Sequence, residues 1–372
     1  MSATVADIVK AMETIAPSNL AEDWDNVGLQ VGQKNWPVKK VWVSLDPALD
    51  VVSNACQNDA DILITHHPLI FKPLRSIDFG TPTGSIIHMA ARHKMAIFTS
   101  HTNLDIVTEG LNDVLAEAIG LKRLEVLGKP VEDEKIKLVI YVPEDYEKKI
   151  LDAIFQTKAG NIGEYSACTF RNRGESTFRP GSMTTPFMGK TGEITGTNEI
   201  RIETVVQKDD LSDVIEYVRS HHPYETMAYD VYPLLTKKNR NGIGRVGELD
   251  EKIELKSLAL KIKEKLRLKY IKISGNQKMT VKRAAVCTGS GSGMMKYFLS
   301  SGAQVYISGD LGYHDARDAQ AANLGIIDIG HFASEHLIVD VIAKRLERIL
   351  SEAEMNIEVK PYSLEEDPFV IV

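Results

Sequence analysis

The sequence predicts an α/β protein in which a second, smaller α/β module interrupts a discontinuous core. Three observations carry that expectation. In the first and last thirds, β-branched apolar runs alternate with helix-length amphipathic stretches, the pattern of parallel βαβ units. The middle third instead reads β-α-β-β-α-β. Polar, Gly- and Pro-containing stretches, LGKPVEDEK and LTKKNRNGIGRVG, bracket that middle third. The expected division is a core from 1–127 and 241–372, with an insert at 128–240.

Taken in order, the opening MSATVADIVKAMETIAPS reads as a short amphipathic helix. VKKVWVSLD (38–46) is a β-branched strand, ALDVVSNACQNDA (48–60) a helix, and DILITHHP a buried strand running into a stop. TGSIIHMAARHK (83–94) is helical, MAIFTSHTNLD (95–105) a strand and loop, and GLNDVLAEAIG (110–120) a helix closed by Gly120. In the middle third, KIKLVIYVP (135–143) is a strand. The helix after it carries Tyr146, Ile150 and Ile154 at i, i+4 and i+8, with Gly160 as its stop. SACTFRNRGESTFRPG holds short β candidates, NEIRIETVVQ (198–207) is a strand, DLSDVIEYVRSHH a helix and ETMAYDVYPLL (225–235) the last strand. That order is the split βαβ of ferredoxin-like domains. In the last third, strand patterns at AAVCTGSGSG (284–293), AQVYISGD and IIDIGH alternate with helical MMKYFLSSG and HDARDAQAANLG. A long helix is expected from about Ser334 to Glu352, with Ile338, Val341, Ile342, Leu346 and Ile349 as its apolar stripe, then a strand at MNIEVKPY.

Composition narrows the function classes. No apolar run approaches the roughly 18 residues of a membrane span, and the N-terminal stretch lacks the basic and apolar regions of a secretory signal. The three cysteines, Cys56, Cys168 and Cys287, are isolated with no CxxC, which argues for a reducing compartment and a cytoplasmic protein. A net charge of −7 disfavours a dedicated nucleic-acid binder. Residues 251–283 run against that total, with 11 Lys/Arg and 3 Glu. There Leu258, Leu260, Ile262 and Leu266 are spaced among lysines as in an amphipathic helix, so a solvated helix face is the favoured reading over an anion-binding patch.

Five residues of the outer segments form the chemical signal. His66 and His67 come directly after an apolar strand, and Pro68 keeps His67 out of helical backbone, so the pair sits at a strand's carboxyl end. Alternation along extended backbone predicts that the two imidazoles point to opposite sides and serve different ions. Asp105 ends the next strand-like run and adds a hard carboxylate. His331 and Glu335, four apart at the start of the long helix, share one face. This mixture suits divalent zinc, iron or manganese. Strand carboxyl edges and helix starts are also where open α/β sheets place their sites. Glu335 bridging two ions, with the other four shared between them, would leave open positions for water about midway between metals roughly 3.5–4 Å apart.

DWDNVGLQVG (23–32), ITHHPLIF, SHTNLD, VCTGSGSG, SGDLGYHDARDA and IDIGHFASE together resemble the GTP cyclohydrolase I type 2 homologue family, also called NGG-interacting-factor-three-like. The likeness runs in order through about 1–125 and 240–372. It implies a di-metal site on His66, His67, Asp105, His331 and Glu335, an insert similar to PII and CutA folds, and a toroidal homohexamer with its metal sites facing an internal cavity. The cyclohydrolase label is a homologue's name, and no Glu is placed by the sequence to grip the N1 and N2 edge of guanine. Hydrolysis of a small nucleotide-like or phosphoester substrate by a metal-activated water is the leading function. The alternative is a non-catalytic metal-dependent sensor or hub whose insert receives a ligand or partner.

Secondary candidates carry competing structural readings. His101 and His314 are candidates for the pocket or for satisfied strand-end polar groups. Asp25 and Asn26 in DWDN are candidates for closing the pocket rim or for capping a turn, with the turn the favoured reading. CTGSGSG is a weak phosphate signal, without a Walker lysine, and a tight strand-to-helix turn explains it equally well. Cys287 reads as a small core residue, and His88 and His93, five apart, as non-ligands. A second HHP occurs at His221, His222 and Pro223, where a helix end explains it, since polar side chains suit a helix C-terminus and Pro enforces the stop.

Overall fold

A computed structural model describes residues 3–131, 135–163, 165–235 and 240–371; both expected joints fall partly outside them. The fold is α/β. By compactness the chain divides into two units, Met1–Val131 with Arg240–Val372, and Glu132–Asn239.

The larger unit holds two sheets. The first runs in the order Gly28–Val31, Ala96–Thr99, Ile62–Thr65, Lys40–Ser44, Glu358–Pro361, parallel throughout except for the antiparallel edge strand Gly28–Val31. The second runs Lys272–Ser274, Gly325–Asp328, Val305–Gly309, Thr280–Ser290, Arg245–Glu254, Lys122–Val126, with its parallel strands in the middle of the order. Four short or polar strands, at 28–31, 122–126, 245–254 and 272–274, were not evident from hydropathy. Lys122–Val126 is mostly exposed and carries too little apolar alternation to stand out.

The two halves of the sequence are interleaved. The C-terminal strand pairs with Lys40–Ser44, and Leu337–Glu352 buries Ile338, Ile342 and Leu346 against Val41, Val43, Ile62 and Ile64. In return Lys122–Val126 joins the second sheet. A buried ion pair fixes this exchange. Arg245, fully buried, donates from Nε and Nη2 to Asp113 at 2.9 and 2.6 Å, and to the carbonyls of Gly242, Gly244 and Val107. The bidentate geometry and carbonyl partners are what make such burial tolerable.

Local signals held where capping chemistry supports them. Thr81 caps Pro82–His93, accepting from the Gly84 N–H with proline in the first turn, and Gly120 ends Leu111–Ile119 at φ +90°. Three expectations shift. MAIFTSHTNLD is not strand then loop throughout, because Thr102–Ile106 forms a short helix. His331–Glu335 is its own short helix, separate from Leu337–Glu352. In the lysine-rich helix Leu255–Lys265, Leu258 and Ile262 are buried while Leu260 faces solvent.

The smaller unit has the order β-α-β-β-α-β, with a four-stranded antiparallel sheet ordered Thr169–Phe178, Thr195–Gln207, Lys135–Pro143, Tyr229–Pro233. Its helices, Glu147–Phe155 and Leu211–His221, bury Ile150, Ile154, Val214 and Val218 against Leu138, Ile140 and Ile202. The helix before Gly160 ends at Phe155, so Gly160 is not its cap; its φ of +79° serves a later turn.

Candidate metal centre

Thr65 is the last strand residue before the histidine pair, and its register neighbours Ser44 and Thr99 end the adjacent parallel strands. The carboxyl edge of the sheet therefore gathers the first residues past each strand: Leu45-Asp46, His66-His67 and Ser100-His101. The pleat ends at Thr65, so strict alternation does not apply beyond it. Instead of diverging, the His66 and His67 rings lie 5.0 Å apart, and both join His101 in a group whose ligand atoms are within 4.8 Å of one another. The expectation that the pair points to opposite sides is thus overturned. A second group joins His67 with His331 and Glu335.

Each imidazole is oriented through its Nδ1. That of His66 lies 3.0 Å from the Ser100 carbonyl, which can only accept, so Nδ1 carries the proton. His67 Nδ1 is 2.8 Å from Asp46 Oδ1, His101 Nδ1 2.9 Å from Asp25 Oδ1, and His331 Nδ1 2.7 Å from Asp310 Oδ2. Carboxylates in these positions hold the rings as outer partners hold metal-binding histidines. The Nε2 atoms of His66, His67 and His331 are left to converge on Glu335. His67 Nε2 and His331 Nε2 are each 3.0 Å from Oε2, and His66 Nε2 is 3.7 Å from Oε1 and 3.9 Å from Asp105 Oδ1.

Among the described residues, His66 Nε2 and Glu335 Oε2 are buried with no hydrogen-bond partner of acceptable geometry. Converging lone pairs at such distances repel unless protons or a cation lie between them. Burial opposes charge on His67, but Asp46 and Glu335 outweigh it and lift it to about 10. Glu335, opposed by burial and aided by Asp310, lifts His331 to about 9. Burial also opposes the Glu335 carboxylate, yet His331, His66 and His67 hold it well below its ordinary range. For Asp105, burial pushes up, His66 pulls down and Glu335 pushes up, leaving it raised to about 6. The donor set, hard carboxylates and imidazole nitrogens with orphaned buried atoms, fits divalent cations.

Two features of the cluster escaped sequence reasoning. Gly289 has φ +62°, and a Cβ there would lie 2.3 Å from Glu335 Oε1, so the CTGSGSG turn makes room for a carboxylate. Its N–H donates to Ser334 Oγ at 2.8 Å, and Thr288 Oγ1 donates to Asp105. The orienting acids form the other. Asp25 is no mere turn residue: it accepts from the N–H and hydroxyl of Thr102 while holding His101. Asp46 and Asp310 lie just past strands at the carboxyl edges, a position that marks them once the histidines are suspected. His101 joins the cluster, whereas His314 is exposed and packs on Tyr313. His88 lies tilted against Phe79, and His93 Nδ1 lies 2.9 Å from the Met89 carbonyl, both away from the centre.

A cavity of about 550 Å³ opens beside His67, His331 and Asp310, with Tyr270, Lys272 and Phe332 on its walls. Lys272 is 2.7 Å from Asp328 Oδ2. No helix among the described residues is long and apolar enough to cross a membrane.

Comparison with known proteins agrees with the sequence likeness. A Bacillus subtilis (strain 168) protein named GTP cyclohydrolase 1 type 2 homolog is 36% identical over 365 residues, 98% of either chain. A Staphylococcus aureus protein of the same name is 31% identical over 98% of this chain and 99% of its own. Among solved structures, a Bacillus cereus protein related to NIF3 aligns over all of both chains, with 35% identity and a TM-score of 0.74. With the family model Duf34/NIF3 (NGG1p interacting factor 3) matching residues 3–368, the chain belongs to the Duf34/NIF3 family.

Proposed function

We propose that the chain is a di-metal hydrolase, holding two divalent ions on His66, His67, Asp105, His331 and Glu335 and acting on a small nucleotide-like or phosphoester substrate. The carrying observation is the convergence of Nε2 atoms on a buried, orphaned Glu335 oxygen. Zinc, iron or manganese bound there would supply Lewis acidity and a water activated for attack. Asp46, Asp25 and Asp310 keep the imidazoles turned inward, so little reorganisation accompanies loading. Glu335, reached by His66 and His67 from past one strand and by His331 from its own short helix, would be the residue shared between two metal positions. A volume of about 550 Å³ suits a drug- or nucleotide-sized molecule, and Tyr270 offers a phenol for its polar parts, Lys272 being paired with Asp328.

Metal analysis of protein grown with zinc, iron and manganese tests this directly. About two ions per chain are expected, lost in His66→Ala and Glu335→Ala, with turnover on a nucleotide and phosphoester panel lost in parallel. Protein that stays metal-free under all three conditions sinks the proposal. A toroidal homohexamer in a cytoplasmic setting belongs to the same reading, and light scattering of the purified protein checks the assembly. A regulatory reading has one favouring observation, a cavity confined to the smaller unit. Metal without turnover on any substrate would favour it.

A further inference from the structure

The smaller unit contains a cavity of about 440 Å³ that shares no residue with the metal centre. Its size lies in the range of small-molecule sites. Its walls are aromatic: the Phe187 and Phe178 rings stand 5.9 and 6.3 Å from that of Tyr224, and Tyr146 meets Phe187 edge-on. Into this apolar setting comes Glu199, only 7% exposed, from the central strand Thr195–Gln207. Its register neighbours on either side are Pro143 and Gly174, neither of which has a polar side chain to offer. Among the described residues Glu199 has no ion-pair partner, although a buried carboxylate is costly unless paired.

The Tyr224 hydroxyl is buried beside it without a hydrogen bond of acceptable geometry. Burial first, and then the neighbouring Glu199, raise its pKa above the ordinary range. Tyr141, by contrast, has spent its hydroxyl on Asp230 at 2.8 Å. A carboxylate and a hydroxyl thus face an aromatic cavity, and although Arg179 also lines that cavity, no ion pair joins it to Glu199. A packed core would have replaced them with apolar residues; a ligand site retains them.

We propose that this cavity binds a planar ligand presenting adjacent N–H donors along one edge, an amidinium, a guanidinium or an amino-heterocycle. The donors meet the Glu199 carboxylate, and the ring lies against Phe178, Phe187 and Tyr224. An Arg would be the protein's own way to satisfy such a carboxylate with two parallel N–H bonds, and a ligand with the same fork supplies that geometry from outside. The proposal goes beyond the di-metal reading and does not depend on it.

Calorimetric titration of the full chain, metal-loaded and chelator-treated, with benzamidine and 2-aminobenzimidazole tests it, with benzoate as the planar anion of matching size. At least one of the two N–H donors should bind saturably in both metal states and benzoate should not. Glu199→Gln should weaken binding by at least about tenfold, the scale of a hydrogen bond to a charged group, with metal content unchanged. Phe187→Ala, at a partly exposed wall, should weaken it too and serves as the test if Glu199→Gln does not fold. Absence of saturable binding by both donors, equal binding of benzoate, or binding indifferent to Glu199→Gln (or, if that variant is lost, to Phe187→Ala) overturns the proposal.

Discussion

At Gly289 the backbone sits at φ +62° and a methyl group would meet Glu335 Oε1 at 2.3 Å. Gly289→Ala therefore carries about 1–2 kcal/mol of left-handed backbone strain and also displaces the carboxylate on which the histidines converge. The expected result is a folded protein, by circular dichroism, with a lowered melting temperature and metal content well below that of the parent. Full metal occupancy in that variant would show that Glu335 is not a ligand. Asp310 acts one bond further out. Asp310→Ala leaves His331 Nδ1 without its acceptor, and loss of such a partner typically weakens metal binding by about 10- to 100-fold. Competition with a fluorescent chelator reads this out, and unchanged affinity would remove His331 from the set. The five candidate residues stood out in the sequence because His66 and His67 follow an apolar strand, Asp105 closes a strand-like run, and His331 and Glu335 are spaced to share one helix face. Asp46 and Asp310 also follow strands, but a lone acid after a strand is too common to stand out until a histidine is seen against it, and Asp25, ahead of Gly28–Val31, lacks even that placement.

At the scale of elements, the sequence told helices from strands well wherever a run was apolar and capped, and missed strands that are short or polar, such as Gly28–Val31 and Lys272–Ser274. It also misjudged directions just past a strand end, where pleating stops and His66 and His67 turn to one side. The buried pair tying Leu111–Ile119 to Arg245–Glu254 lay beyond its reach, because nothing local distinguishes Asp113 from any solvent-facing helix acid. Asp113→Ala strands a fully buried guanidinium, and breaking such a pair costs about 3–5 kcal/mol; a denaturant midpoint unchanged from the parent would contradict this. The second HHP gives a pH test. His222 Nε2 donates to the Tyr141 carbonyl at 3.0 Å while its Nδ1 accepts from the Tyr224 N–H at 3.1 Å, which fixes a neutral ring. Burial lowers its pKa below the ordinary 6.5, with Tyr141 and Glu199 opposing. A depressed folded pKa means that the unfolded chain binds the proton first. The contribution of His222 is therefore complete above pH 6.5 and declines as pH falls from there through the folded pKa. Imidazole NMR should show His222 titrating below 6.5, and a midpoint at or above that value would refute the assigned tautomer and its partners.

For the molecule as a whole, the discontinuous core explains why the candidate ligands are scattered over more than two hundred residues yet come together in one place. Every candidate ligand and every orienting acid belongs to Met1–Val131 or Arg240–Val372. The ends of the excision are close in space, because the Val131 N–H donates to the Asn241 carbonyl at 2.8 Å. A short Gly-Gly bridge from 131 to 240 thus replaces residues 132–239 with little loop-closure cost. Arg245, Gly242 and Asn241 lie just past that junction and hold the local backbone through Asp113, Val107 and Thr108. The shortened chain should fold cooperatively, retain the metal stoichiometry of the parent, and keep basal turnover where the parent has any. It should lose all response to benzamidine and 2-aminobenzimidazole. Metal analysis and calorimetry on the same preparation separate the two sites. Loss of metal from a folded, shortened chain would mean that the insert contributes to the centre, and would overturn the assignment of the whole ligand set to the larger unit.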